Sequence, residues 1–172
     1  MKSQRRRTPM KQITRLAKVA FLLLALALPA LAAKPIIVEN PVTPFVIPAA
    51  GGCGTFDVSG AQEVGKPSGQ AILFANSAIL AGPAFVTLTN LSTGKSINLN
   101  LSGADKIVYT NNGITVVDQG LTLAFGLPAN APPDLQGVVV ANGRIVSQLD
   151  NSGNFISVTF TGTTQNVCPL LQ

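Results

Sequence analysis

Carboxylates are the main side chains in this sequence equipped for acid–base chemistry near neutral pH. No histidine occurs among the 172 residues, which excludes Ser-His-Asp and Cys-His nucleophiles, an imidazole general base and histidine-ligated zinc. Six carboxylates are candidates: Asp57, Glu63, Asp105, Asp118, Asp134 and Asp150. Acid–base hydrolysis by such groups, as at a glycosidic bond, needs two of the six to converge roughly 5 to 10 Å apart. Asp105, Asp118, Asp134 and Asp150 fall at expected turns or loop edges, where aspartate is favoured because it hydrogen-bonds local backbone. No residue is therefore assigned as catalytic.

Other chemistry is thinner still. Asp150-Asn151-Ser152-Gly153-Asn154 resembles the start of an oxygen-ligand loop for calcium but lacks the spaced ligands and closing Glu of an EF-hand, so it reads as a hairpin turn. Gly51-Gly52-Cys53-Gly54 lacks the Gly-Lys-Ser/Thr end of a phosphate loop. No metal or cofactor ligands are assigned. The region after residue 32 has no Trp and one Tyr, Tyr109, too few rings for a sugar-stacking platform. Asn90-Leu91-Ser92 and Asn100-Leu101-Ser102 match the N-glycosylation pattern, which matters only in a eukaryotic host.

The elements that must position these residues begin with an export segment. Residues 1–32 hold seven Lys and Arg, then the apolar run Val19 to Leu28, then Ala30-Leu31-Ala32, the pattern of a secretory signal peptide cleaved after Ala32. The apolar run is interrupted by Pro29 and is shorter than the roughly 20 residues of a membrane-spanning helix. Removing the segment leaves five cations, Lys34, Lys66, Lys95, Lys106 and Arg144, against seven carboxylates. The precursor's charge of +5 thus becomes about −2, and scattered cations give no footprint for nucleic acid or an anionic membrane. The expected location is extracellular, with no stable membrane insertion after cleavage.

Cys53 and Cys168 remain in this exported part. An even count in an oxidising compartment predicts that they pair, joining the two ends of the domain. Residues 33–52, with Pro35, Pro41, Pro44 and Pro48, read as a Pro-rich extended tether. Their apolar residues also suit an edge strand lying against the domain.

Residues 53–172 read as a single all-β domain. Alternation of period two marks Val86 to Thr89, Ser96 to Ser102 and Ile156 to Thr161 as strands with one dry face. Weaker candidates are Thr55–Val58, Gln70–Ala75, Lys106–Thr110, Ile114–Val117, Leu121–Phe125, Gly137–Ala141 and Arg144–Leu149. Turn chemistry separates them at Ser92-Thr93-Gly94-Lys95, Asn111-Asn112-Gly113, Asn142-Gly143 and Asp150 to Gly153. Gly120 reads as a bulge, and Gly126 to Leu135 as a Pro-rich loop. The expected fold is an antiparallel meander of eight to ten strands, as a closed or partly open barrel or, alternatively, a two-sheet β-sandwich.

The succession Val86-Thr87-Leu88-Thr89-Asn90, Thr93-Gly94-Lys95-Ser96, Ser102-Gly103, Gly143-Arg144-Ile145-Val146, Gly153 and Val167-Cys168-Pro169-Leu170-Leu171 resembles a group of uncharacterised secreted β-rich proteins of high-GC Gram-positive and related soil bacteria. The resemblance spans Cys53 to Leu171. It implies a secreted β domain with one terminal disulfide and carries over no catalytic or binding residue. The functional expectation is a non-enzymatic secreted domain that binds a small apolar ligand or acts at the cell surface. The alternatives are a carboxylate-dependent, His-independent hydrolase and an adhesive or matrix protein.

Overall fold

In the computed structural model, which describes residues 34–172, eleven strands form two antiparallel sheets. The strands are β1 (Ile36–Asn40), β2 (Phe45–Ile47), β3 (Val58–Gln62), β4 (Gly69–Leu73), β5 (Ser77–Gly82), β6 (Phe85–Asn90), β7 (Ser96–Asn100), β8 (Gly103–Thr110), β9 (Gly113–Ala124), β10 (Val139–Leu149) and β11 (Phe155–Asn166). A single helical turn, α1 (Cys168–Leu171), ends the chain. The larger sheet has the order β1-β4-β5-β8-β9-β10-β11 and the smaller β2-β3-β6-β7. Neither closes on itself, so the closed barrel is not formed. The signal peptide expected over residues 1–32 lies outside the described residues. Among those described, no helix is long and apolar enough to cross a membrane.

The expected meander holds only from β8 to β11. Before it, the chain passes between sheets hairpin by hairpin, so β1 pairs with β4, β3 with β6 and β5 with β8. Residues 33–52, read as a tether, supply two of the edge strands, β1 and β2. Their prolines flank the strands and leave the ladder bonds intact. Phe45 shows how firmly this segment is held. Its ring lies parallel to that of Phe125, with centroids 5.2 Å apart, and covers its cross-strand partner Gly60. Any Cβ at Gly60 would collide with the ring.

Three local readings change because glycine signals a turn in sequence but also permits close strand approach. Asn142-Gly143, expected to turn, lies inside the continuous strand β10. The two strands expected at Ile114–Val117 and Leu121–Phe125 are one, β9, and Gly120 inside it keeps register with Gly103 and Gly143 without a bulge. Pairing lines up Gly82 with Gly103, Gly103 with Gly120, Gly120 with Gly143 and Gly143 with Gly162. Gly69 stands against Gly82. A rung of glycines thus crosses six neighbouring strands. A Cβ on Gly162 would stand 2.9 Å from the Cα of Gly143, and Gly120 has φ +98°, so a larger side chain fits neither the space nor the backbone.

The main core lies under the smaller sheet. Ile47, Val58, Val86 and Leu88 pack with Val138, Val167 and Leu171, and partly buried Leu123, Phe125 and Val140 come from the larger sheet and the loop that follows β9. The chain's end is tied into this core. Asn90, 2% exposed, donates from Nδ2 to the Leu171 carbonyl at 3.0 Å, and its Oδ1 accepts the Ser92 N–H at 2.8 Å. Asn90 is therefore structural, its amide enclosed, whatever its sequence motif suggests for glycosylation. Lys95 Nζ donates to the Gln172 carbonyl at 2.6 Å. Asp57, within an expected strand, lies just before β3, and its Oδ1 accepts the Ala49 N–H at 2.7 Å.

Beside these contacts Cys53 and Cys168 are bonded, with Cα atoms 5.4 Å apart and 115 residues between them in sequence. A closed loop of that size removes on the order of 4 to 5 kcal/mol of chain entropy from the unfolded state. Reduction of the bridge should lower the thermal unfolding midpoint while leaving the folded strand content unchanged, as read by circular dichroism. A Cys53→Ser variant as stable as the parent would contradict this.

Candidate functional site

The larger sheet carries an acid pair in the middle of an apolar face. Pairing from edge to edge gives one rung, Val38–Ala71–Leu80–Asp105–Asp118–Ile145–Phe160. The glycine rung flanks it on one side. On the other runs Ile36–Leu73–Ala78–Ile107–Val116–Ser147–Val158. Because side chains alternate along each strand, Lys106 and Arg144, the two cations of β8 to β11, fall on the opposite face. The pair has no basic neighbour in its own rung.

Asp105 and Asp118 are direct cross-strand partners, half-buried, and their side chains are hydrogen-bonded to each other. Two carboxyls can make that bond only while one holds a proton. Burial raises Asp118, and the charge and hydrogen bond of Asp105 raise it further, to about 7. Burial also raises Asp105, whose hydrogen bond with Asp118 offsets part of the effect. At neutral pH the pair is poised between sharing one proton and carrying two charges.

A cavity of about 270 Å³ opens beside Asp105. Gly69, Gly82 and Gly103 line it where the glycine rung leaves the backbone bare, and Phe45, Val86 and Phe125 bring the smaller sheet and the β9–β10 loop to its wall. A second cavity of about 280 Å³ lies beside Asp118, lined by Val116, Ile145, Leu149 and Phe155 among others. Both are mostly apolar. The acid pair stands between them.

The remaining carboxylates do not join this site. Asp57 is engaged with Ala49 as described, and Glu63 follows the end of β3, its N–H donating to the Phe85 carbonyl. Asp134 lies in the 3₁₀ turn Pro133–Leu135. Asp150 forms its expected turn: Oδ1 accepts the N–H groups of Ser152 at 2.8 Å and Asn154 at 2.9 Å, and Oδ2 accepts from Asn154 Nδ2 at 3.0 Å. These bonds hold the Asp150 carboxyl below the usual carboxylate range. Tyr109 ends up exposed in β8.

The sequence reading placed Asp105 and Asp118 at turns or loop edges; both lie inside strands. Gly103 and Gly120, each two residues from its aspartate, interrupt the apolar alternation that gives a strand signal. A usable signal was present: Asp105 precedes the Asn111-Asn112 turn by about as much as Asp118 follows it, so a two-residue hairpin there must set them opposite each other.

The chain matches no protein-family model, and neither the curated proteins nor the solved structures contain a match to it. Its chemistry is therefore read from these side chains alone.

A carboxyl titrating higher in the folded than in the unfolded state keeps its proton longer when folded. Its contribution to stability is complete below the unfolded value, near 4, and is lost as pH rises through about 7. Asp150 acts in the opposite sense, and only as pH falls below about 4. The unfolding midpoint should therefore fall between pH 5 and pH 8. Asp118→Asn, which donates the same hydrogen bond without titrating, should flatten that fall. Equal slopes in parent and variant would show that the pair does not share a proton.

Proposed function

We propose that this chain is a secreted, non-enzymatic binding domain that holds a small, mostly apolar molecule carrying one hydrogen-bonding or basic head group. The body of the ligand occupies the cavity beside Asp105 and its head group meets the Asp105–Asp118 pair. The observation that carries this reading is a half-buried cross-strand acid pair whose Asp105 stands at the wall of an apolar cavity between two sheets. Ligand sites are commonly apolar clefts with a few polar groups that fix orientation. The volume of about 270 Å³ is near the lower end of the roughly 300–1,000 Å³ usual for such sites, which limits the ligand to a small one.

In this reading the architecture is a β-sandwich: the small sheet packs on one end of the larger one over the core of Val86, Leu88, Leu123 and Val140. Export through the segment 1–32 accords with the disulfide, since such bonds persist in oxidising compartments.

One observation favours a hydrolase as the second reading. Carboxyls in hydrogen-bond contact are too close for either glycosidase arrangement, which keeps them about 5 Å apart or more. They do match the geometry in which two aspartates share one proton and activate a water molecule. That reading requires turnover of a peptide or ester that disappears with Asp105→Asn.

The binding reading is tested with the neutral lipophilic fluorophore N-phenyl-1-naphthylamine. Its emission should rise and saturate on titration with the parent protein. Ala84→Trp, which fills the cavity from its wall, should abolish the rise while leaving the strand signal intact. Fluorescence that is unchanged by Ala84→Trp would sink the proposal.

A further inference from the structure

Among the described residues the two sheets have four open edges, and three carry devices that deter another strand from pairing. Strand β1 has five residues, includes Glu39 and lies between Pro35 and Pro41. Strand β2 has three residues between Pro44 and Pro48. Strand β7 has five residues and follows Lys95. Shortness, proline and charge are the usual protections of an exposed edge. The fourth edge, β11, has none of them: its twelve residues, Phe155–Asn166, include no charge and no proline.

Strand β11 pairs with β10 on one side only. Among the described residues, no backbone hydrogen bond outside the ladder reaches any residue of β11. Leu135 packs in the cluster that holds Val158 and Phe160, two side chains of one face of the strand. Every second residue of β11 thus presents an unpaired N–H and C=O outward.

We propose that a second copy of this chain covers that edge by antiparallel pairing of β11 with itself about a twofold axis. The strand suits this partner because it is uncharged, so no register sets like charges against each other. A register centred on Thr161 puts Phe160 over Gly162 of the partner subunit and Thr159 beside Thr163 of the partner subunit. An aromatic ring covering a cross-strand glycine and a Thr–Thr pair are both favourable in sheets. The contact is isologous and closes at two copies. The joined sheet then ends at a β1 strand on each side, the edge that is already protected.

Sedimentation velocity of protein purified from the expressing cells or their medium should give a dimer. Thr161→Lys, an exposed change that sets two ammonium groups against each other on the axis, should give a monomer with unchanged circular dichroism and an intact Cys53–Cys168 bond. Asn98→Lys, on the exposed face of β7, should leave the dimer. Thr161→Cys should give a covalent dimer on mild oxidation, because a residue opposite itself lies within disulfide range. A parent that sediments as a monomer at its highest soluble concentration, a dimer that survives Thr161→Lys, or open-ended filaments would each overturn the proposal.

Discussion

The constraint on which the larger sheet depends is the absence of side chains along the rung from Gly69 to Gly162. At Gly143 and Gly162 the strands come so close that the Cβ of one would stand 2.8 Å from the Cα of the other. Glycine inside a strand costs roughly 0.5–1 kcal/mol relative to alanine in conformational entropy. Six in one rung are therefore expensive unless packing elsewhere repays them. What the rung provides is room: bare backbone at Gly69, Gly82 and Gly103 borders the apolar cavity beside Asp105. The same glycines that weaken the strands make the cavity possible.

The acid pair is the second departure from what stability alone would favour. Its rung is otherwise aliphatic or aromatic, and an apolar pair at Asp105 and Asp118 would continue the pattern from Leu80 to Ile145. Buried polar pairs are often no more stabilising than well-packed apolar replacements. The protonated pair avoids the worst of the penalty by keeping one net charge instead of two. Above neutral pH it loses that protection. A fold that keeps two carboxyls in contact on an apolar face thus ties its stability to proton supply, and this is the strongest physical argument that the face serves more than packing.

How much of this the sequence disclosed follows from the range of each signal. The cysteines were legible because only two are present, one at each end of the β domain, so each has a single partner. The alternating strands β6, β7 and β11 were legible because the alternation is written locally in their own residues, although in β11 Ile156, expected on the dry face, is 56% exposed. The sheet assignment was not: which hairpin joins which sheet is decided by contacts between distant segments, such as Phe45 with Phe125. The acid pair fell between these cases. Gly103 and Gly120 suppressed the strand signal around it, and only the register of the β8–β9 hairpin brings Asp105 and Asp118 together.

The fixed and the adjustable parts of the molecule meet at the cavity beside Asp105. The disulfide, the Asn90 bonds to Leu171 and Ser92, the Asp57 bond to Ala49 and the stack of Phe45 on Phe125 all gather around the core beneath the smaller sheet. Neither Asp105 nor Asp118 takes part in any of these contacts. The far part of the larger sheet, from Leu80 to Phe160, is held by ladder bonds, apolar contacts, the acid pair and two exposed side-chain bonds, Ser157 to Gln148 and Asn151 to the Asn111 carbonyl. A change at the acid pair can therefore loosen the Asp105 side of the cavity wall, while Phe45 and Phe125 tie its other side to the core fastened by Cys53 and Cys168.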